Sequence, residues 1–320
     1  GGGGSYCARV SQQGINVGVI GLGNMGAPIA RHLAAAGFVV HGYDVRPAAR
    51  DGLRDDGGIP AGSCAEVAAA AEVVLTSLPT AAALDAVIDG PDGLLAGAKP
   101  DLLVLETSTF AVATKERVRE ILQRHGAAML DCPISGTASQ LADRDVAVYA
   151  SGDPDLIASV RPVLAAFSRT QYDVGSFGNG TKLKLIANHL VTVHNAAAAE
   201  ALLLAESAGL DLALALQVLT DGAGTSRMLE VRGPMMLAKD FTKANMRLDG
   251  YQKDIDLIGA FARDVHCPLP LFAASAQLYL AALAQGRGAE DPAVIAAVLE
   301  GMRQRYPSLP KRSEAAVEPE

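Results

Sequence analysis

The stretch Val17-Gly18-Val19-Ile20-Gly21-Leu22-Gly23-Asn24-Met25-Gly26 decides the fold of this chain. An apolar strand pattern runs into a G-x-G-x-x-G turn, and Asp44 ends the next apolar run about 20 residues later. Gly21 permits the tight turn, Gly23 lets the backbone approach a pyrophosphate, and Gly26 lets the following helix lie close to the strand. This order predicts a dinucleotide site at a helix N-terminus. Its expected residues are Gly21, Leu22, Gly23, Asn24, Met25, Gly26 and Asp44.

Short apolar runs alternate with Ala-rich helical patterns in the first half of the chain, which predicts parallel strands with right-handed helical crossovers. After Val174 the strand signal fades, and a long helical pattern is followed by further helices. The predicted fold class is α/β: a doubly wound Rossmann domain followed by an all-α C-terminal domain, joined by a long helix. The candidate strands are Ile15–Ile20, Val39–Tyr43, Val73–Ser77, Leu102–Glu106, Ala128–Asp131 and Val146–Ala150. The candidate helices of the second half are Thr181–Gly209, Leu212–Asp221, Arg227–Ala238, Leu248–Val265, Leu269–Gln285 and Pro292–Gln304.

These patterns place the dinucleotide-binding domain at residues 14–177 and an all-α substrate and dimerisation domain at residues 178–304. Residues 1–13 and 305–320 are expected to be tag-like or disordered ends. The first segment opens on four glycines, and the last is rich in Pro, Glu, Lys and Arg.

The composition narrows the function classes. Half of the 320 residues are hydrophobic and 19% are charged, which is enough apolar material for a sizeable core. The net charge of -8 argues against nucleic-acid and anionic-membrane partners, and no apolar run is suited to crossing a bilayer. Four cysteines without metal-ligand spacing predict reduced thiols and no metal site. We therefore expect a cytoplasmic protein.

The chemistry is expected at the carboxyl edge of the sheet, where doubly wound folds bind their ligands. Ser77-Leu78-Pro79, Thr107-Ser108-Thr109 and Asp131–Thr137 all follow candidate strands, and the long helix carries Lys184 and Asn188 on one face. A lysine near a helix N-terminus in a cleft loses hydration and meets the positive dipole end, so its pKa falls toward the range useful for proton transfer. Alcohol oxidation by a nicotinamide requires such a group.

The chain resembles the β-hydroxyacid dehydrogenase family over residues 17–300. Five motifs carry the resemblance: Gly21–Gly26; Glu106-Thr107-Ser108-Thr109, with Glu for the usual Asp; Asp131-Cys132-Pro133-Ile134-Ser135-Gly136; Gly178-Asn179-Gly180 through Lys184 and Asn188; and Lys253-Asp254. The resemblance implies NAD(P)-dependent hydride transfer on a small 3-hydroxy acid, a semialdehyde or a four-carbon sugar acid. It also implies a homodimer or homotetramer formed through the helical domain.

The resemblance also implies a role for each matching residue. Lys184 is implied as the general acid/base, and Lys253 as a group that closes the pocket from the helical domain. The implied substrate-binding residues are Ser108, Ser135, Gly136 and Asn188, and Thr137 of the same loop is a further candidate. Besides Lys253, the further candidate cofactor-binding residues follow from their positions after candidate strands: Arg46, Leu78, Pro79 and Thr109. Thr137, Ser139 and Arg144 stand where the family usually has glycine, so the substrate loop is expected to have an unusual preference.

Three alternatives remain open at this point. Asp44 favours NAD because a carboxylate repels a 2′-phosphate, whereas an inward-turned Arg46 would accommodate NADP. Imine reductases share the architecture, but they generally lack a lysine at the position of Lys184. A catalytically silent cofactor-binding scaffold is the third possibility.

Overall fold

The computed structural model describes residues 15–244 and 246–304, so both expected tag-like or disordered ends lie outside it. The strands are β1 (Asn16–Ile20), β2 (Val39–Tyr43), β3 (Ile59–Pro60), β4 (Val73–Thr76), β5 (Leu103–Glu106), β6 (Ala128–Asp131), β7 (Ile134–Ser135), β8 (Ala147–Ala150) and β9 (Thr170–Asp173). The helices are α1 (Gly26–Ala35), α2 (Pro47–Asp55), α3 (Cys64–Ala70), α4 (Ala81–Asp89), α5 (Leu94–Gly97), α6 (Val112–Arg124), α7 (Ala138–Ala142), α8 (Pro154–Phe167), α9 (Asn179–Ser207), α10 (Leu212–Asp221), α11 (Arg227–Ala238), α12 (Leu248–Asp264), α13 (Pro270–Ala284) and α14 (Ile295–Gln304), with a 3-10 turn at Pro292–Val294.

The main sheet has six parallel strands in the order β3-β2-β1-β4-β5-β6. Every residue of β4 and β5 is buried, as expected for central strands of a parallel sheet that is covered by helices on both faces. The register pairs the last residues of neighbouring strands, Ile20, Tyr43, Thr76, Glu106 and Asp131. These residues form one carboxyl edge, and the predicted doubly wound fold is confirmed.

One strand lies in a different sheet from the one predicted. The run Val146–Ala150 was expected in the parallel sheet, but β8 pairs antiparallel to β7 and parallel to β9 in a separate three-stranded sheet. The chain reverses after β6, where Asp131 and Ser151 exchange backbone hydrogen bonds of 3.0 and 2.8 Å. The sixth strand of the main sheet is instead the two-residue β3, which pairs with β2 at one edge and is too short to show a strand period.

The chain forms two compact units. The first contains residues up to Leu190 together with Lys253–Pro268, and the second contains Val191–Gln252 and the residues from Leu269 onward. Lys253 lies in the segment that groups with the first unit, and its expected role in closing the pocket stays a prediction. The described part of the second unit contains helices and no strand, as predicted for an all-α domain. The single boundary at residue 178 remains a prediction.

The second unit has its own buried polar centre. The Tyr279 hydroxyl donates to the Thr192 carbonyl at 3.0 Å and accepts from Asn195 Nδ2 at 2.9 Å. The Thr192 and Tyr251 hydroxyls share a 2.9 Å hydrogen bond. Since hydrogen bonding offsets the cost of burying polar groups, this network fixes how the unit's helices pack. Among the described helices, none has the length and apolar content needed to cross a membrane.

Candidate active site

A cavity of about 840 Å³ opens at the carboxyl edge of the main sheet, beside the glycine turn. Gly21 has a φ of 87°, and a Cβ there would overlap the Ser77 carbonyl oxygen. A Cβ at Gly26 would overlap the Gly21 carbonyl oxygen, so the strand, turn and helix approach closely only with glycine at both positions. The cavity lies beside the start of α1, which is where a doubly wound fold binds a dinucleotide.

Most of the predicted cofactor-binding residues line this cavity: Gly21, Gly23, Asn24, Met25, Asp44, Arg46, Leu78 and Pro79. Leu22, Gly26, Thr109 and Lys253 lie outside its lining. Ser77, which precedes Leu78 in the predicted sheet-edge segment, lines it as well. Tyr43 and Val45 also line it, and their position at the end of β2 is a signal that could have identified them. Cys64, Ala83, Val87, Pro91 and Asp92 line it from α3, α4 and the following turn, and no sequence motif marks them.

Asp44 is held beside the glycine turn by two groups. Its Oδ2 accepts from the Leu22 amide at 2.8 Å, and its Oδ1 accepts from the Arg46 amide at 2.9 Å and from Arg46 Nε at 3.0 Å. Burial alone would raise the pKa of Asp44, but the hydrogen bonds from Arg46 and Leu22 outweigh it and the pKa is lowered. The carboxylate is therefore ionised near neutral pH, and Arg46 turns toward it.

Ser108 lies two residues after the end of β5, and its hydroxyl oxygen is bound to the backbone of a neighbouring loop. The Leu78 amide donates to Ser108 Oγ at 2.8 Å, so one lone pair of that oxygen is engaged. The hydroxyl hydrogen remains available to donate in another direction. The next residue, Thr109, accepts a 3.0 Å hydrogen bond from Lys253 Nζ through its carbonyl.

The Lys184 side chain belongs to a group of residues from α9 and α12. One turn further along α9, Asn188 Nδ2 donates to Asp254 Oδ2 at 2.9 Å. Lys253 Nζ lies 3.8 Å from Asp254 Oδ1 and 5.3 Å from the centre of the Phe110 ring. The structure thus brings Lys184, Asn188, Lys253 and Thr109 together in one unit, with Asp254 at the centre. Asp254 belongs to the Lys253-Asp254 motif, and the sequence alone assigns it no role.

The electrostatics of this group fit proton transfer. The pKa of Lys184 is lowered, chiefly because its surroundings remove hydration; the charge of Asp254 opposes this shift and that of Lys253 adds to it. Loss of hydration is the cause that the sequence predicted. Burial also raises the pKa of Asp254, although Lys253, Lys184 and Asn188 all act to lower it. Two neighbouring groups with opposed shifts toward neutral pH are typical of catalytic sites.

The substrate loop is built on β7 and α7. Ser135 ends β7 half-buried, and Gly136 has a φ of 145°, a conformation that favours glycine. Thr137 is the N-cap of α7: its Oγ1 accepts from the Gln140 amide and pairs with the Ser139 hydroxyl at 2.9 Å. The Thr137 hydroxyl is therefore occupied in capping the helix. Arg144 has a φ of 59°, so it adopts a conformation in which glycine is common.

Comparisons with known proteins agree with this geometry. The family model of the NAD-binding domain of 6-phosphogluconate dehydrogenase matches residues 16–176. That of the NAD-binding domain of NADP-dependent 3-hydroxyisobutyrate dehydrogenase matches residues 178–299. The chain belongs to the β-hydroxyacid dehydrogenase family. The predicted reaction class, NAD(P)-dependent oxidoreduction at a CH–OH group, is confirmed for this family member.

Individual relatives cover nearly the whole chain. An L-threonate dehydrogenase of Cupriavidus necator is 37% identical over 90% of this chain and 97% of that protein. A 3-sulfolactaldehyde reductase of Escherichia coli is 32% identical over 89% of this chain and 94% of that protein. The crystal structure of a 3-hydroxyisobutyrate dehydrogenase from Salmonella typhimurium has a TM-score of 0.80 at 32% identity, covering 89% of this chain and 99% of that one.

The imine reductase alternative is not retained. A solved imine reductase from a Pseudomonas species is 19% identical with a TM-score of 0.57, which shows a shared fold and nothing further.

The described residues also contain no group of three or more His, Cys, Asp or Glu side chains that could hold a metal ion.

Proposed function

We propose that this family member interconverts a small hydroxyacid and its carbonyl form, with Lys184 as the general acid/base. The observation that carries the proposal is the placement of Lys184 one helical turn before Asn188, which is bound to Asp254 next to Lys253. Loss of hydration, which lowers the pKa of Lys184, agrees with it. A bound nicotinamide supplies hydride chemistry at the substrate carbon. In the oxidation direction, neutral Lys184 Nζ takes the hydroxyl proton; in the reduction direction, its charged form returns that proton to the carbonyl oxygen.

Ser108 and Asn188 orient the reacting oxygen in this proposal. With one lone pair of Ser108 Oγ engaged by Leu78, its hydrogen is directed to the substrate. Asn188 is held by Asp254, which fixes its amide beside Lys184. Ser135 and Gly136 offer donors to the substrate carboxylate, and the charge of Lys253 attracts that anion. A contribution of Thr137 to substrate choice remains a prediction, carried by its methyl group because its hydroxyl caps α7.

The second part of the proposal is a preference for NAD over NADP. Asp44 is supported as the ribose-binding group because it is ionised and anchored to the Leu22 amide. Arg46 pairs with Asp44, which leaves it less available to a 2′-phosphate. Replacing Asp44 by Ala removes this charge-assisted acceptor, so we expect the ratio of kcat/KM for NAD to that for NADP to fall about tenfold or more. An unchanged ratio would refute the assignment.

For the substrate, we propose a four-carbon sugar acid. The support is the 37% identity to a relative named L-threonate dehydrogenase. Initial rates with a panel of C3 to C5 hydroxyacids and their semialdehydes, measured with NAD and with NADP, test both the substrate and the cofactor. A higher kcat/KM on a three-carbon acid than on any four-carbon acid would contradict the four-carbon assignment and favour the smaller substrate.

The experiment that tests the mechanism is Lys184→Ala. Because the variant lacks the proton acceptor, we expect kcat to fall by about 10²–10⁴-fold while the Kd of the cofactor stays unchanged. Lys182→Ala is the matched control, since this neighbouring lysine on α9 has its own partner, Asn179, and should leave kcat unaffected. Turnover that survives in Lys184→Ala would refute the mechanism, and an inactive wild-type protein that binds cofactor would favour the silent scaffold.

We also propose a cytoplasmic homodimer or homotetramer. Its support is the set of exposed apolar side chains on the helices of the second unit, including Leu204, Leu214, Val218 and Leu271. Light scattering of the purified protein tests the subunit number, and a monomer at micromolar concentration would contradict it.

A further inference from the structure

Lys115 is a buried charge that the mechanism above does not use. It lies within α6 and has no exposed surface. Its Nζ donates to the Ser108 carbonyl at 2.7 Å and to Asp131 Oδ1 at 2.8 Å, and it lies 2.7 Å from Glu106 Oε2. That last contact is an ion pair between two side chains without exposed surface. One ammonium is therefore enclosed with two carboxylates, which are also fully buried.

Both peptide groups of Ser108 are held by this cluster. Glu106 Oε1 accepts from the Ser108 amide at 2.9 Å, and Lys115 binds the Ser108 carbonyl. The Glu106 side chain thus places Oε1 on the Ser108 amide and Oε2 beside the Lys115 ammonium. The backbone on either side of the Ser108 hydroxyl is therefore fixed from within the protein.

The same cluster holds the start of α9. Asp131 Oδ2 accepts from the Thr181 amide at 2.8 Å, and Asp131 Oδ1 accepts from the Thr181 hydroxyl at 2.8 Å. Ser151 Oγ, which donates to Asp131, also accepts from the Gly180 amide at 3.0 Å. Two carboxylates and one ammonium leave a net negative charge, which the positive end of the α9 dipole compensates. Lys184 lies one helical turn beyond Thr181.

We propose that Lys115, Glu106 and Asp131 form a positioning cluster that fixes the Ser108 segment and the first turn of α9 relative to each other. Stability alone does not account for it, because apolar side chains of similar volume often stabilise a core as well as buried ions do. Its bonds converge on the two segments that carry Ser108 and Lys184. The inference rests on the proposed function, and it adds residues that act on the reaction without touching the substrate.

The test removes one bond of the cluster with little change in shape. Thr181→Val deletes the hydroxyl that binds Asp131 and keeps the backbone hydrogen bond, while Thr181→Ser restores the hydroxyl. Thr192→Val is the matched control, because it deletes another buried threonine hydroxyl of α9, one that pairs with Tyr251. Two readouts are compared: kcat on the hydroxyacid, and the pKa of the Lys184 amine from competitive labelling with acetic anhydride and mass spectrometry.

We expect Thr181→Val to lower kcat at least fivefold with cofactor Kd within twofold of wild type, and Thr181→Ser to restore kcat to within twofold. A loosened first turn admits water to Lys184, so its pKa should rise in Thr181→Val. Asp254 and Lys253 are the two charged groups that face Lys184, and both are unchanged in all three variants. Thr192→Val should affect neither readout.

The proposal is overturned if Thr181→Val loses thermal stability as Thr192→Val does while kcat and the Lys184 pKa stay at their wild-type values. Its failure differs from failure of the proposed function. If Lys184→Ala keeps full turnover, the proposed mechanism is wrong, yet the labelling of Lys184 still decides whether the cluster positions α9.

Discussion

Two lysines of the first unit are affected in opposite ways by their surroundings. Burial acts against the charge on Lys115, but Asp131 and Glu106 outweigh it, and the pKa of Lys115 is raised. Loss of hydration also acts on the half-buried Lys184, where only Asp254 opposes it and Lys253 adds to it, and the pKa of Lys184 is lowered. The number of anionic partners, more than burial itself, therefore separates a structural ammonium from a proton-transfer group.

The largest expected difference between the two lysines is in stability. Lys115→Met leaves two carboxylates buried without their cation, so we expect the free energy of unfolding to fall by about 3–5 kcal/mol. Lys184→Met removes a charge that its surroundings already disfavour, and we expect a change of about 1 kcal/mol or less. Urea denaturation of both variants measures these values. Equal losses would show that the two lysines stabilise the fold to the same extent.

A smaller effect tests the partners of Lys184. Asp254→Asn removes the charge that raises the pKa of Lys184, so that pKa should fall further. Lys253→Met removes a charge that lowers it, so the pKa should rise. In the oxidation direction the rate follows neutral Lys184, and the rising limb of the pH–rate profile should move to lower pH in the first variant and to higher pH in the second.

Lys182→Met is the control for this pair, because Lys182 is not among the groups that shift Lys184. Lys182→Met should leave the rising limb of the pH–rate profile at its wild-type pH. A limb that moves in the same direction in Asp254→Asn and Lys253→Met would show that general loosening of the site, rather than charge, sets the pKa of Lys184.

The sequence predicted much of the fold because strong local patterns coincide with long elements. The run Val39–Tyr43 and the run Ala128–Asp131 are strands with the predicted ends. By contrast, Ile59–Pro60 and Ile134–Ser135 are two residues each, too short for a period to appear. The sheet to which β8 belongs depends on the reversal at Asp131 and Ser151, which is a tertiary contact and not a local pattern.

The candidate site likewise contains residues that the sequence identified and residues that it did not. Lys184 and Asn188 are spaced one helical turn apart, so their shared face follows from the sequence. Lys115 stands in the charged run Thr-Lys-Glu-Arg, which is typical of a solvated helix face, yet it is fully buried. Its partners come from the ends of two strands that lie side by side only once the sheet has formed. Long-range pairing of this kind has no local signature.

The smallest expected effect is on the pH dependence of the free energy of unfolding. Measuring it for variants of both lysines over the same pH range compares the two directly. Lys184 has a folded-state pKa below its usual value of 10.5, so between these two values the unfolded chain binds more protons, and the stability of wild type relative to Lys184→Met should rise with pH. Lys115 has a folded-state pKa above 10.5, so its contribution is fully present below that value and is lost only as pH rises through the higher pKa. Urea midpoints at intervals from pH 7 to 10 should therefore give a constant difference for Lys115→Met and a changing one for Lys184→Met. A constant difference for both variants would mean that the pKa of Lys184 is not lowered by folding, and proton transfer would then require another group.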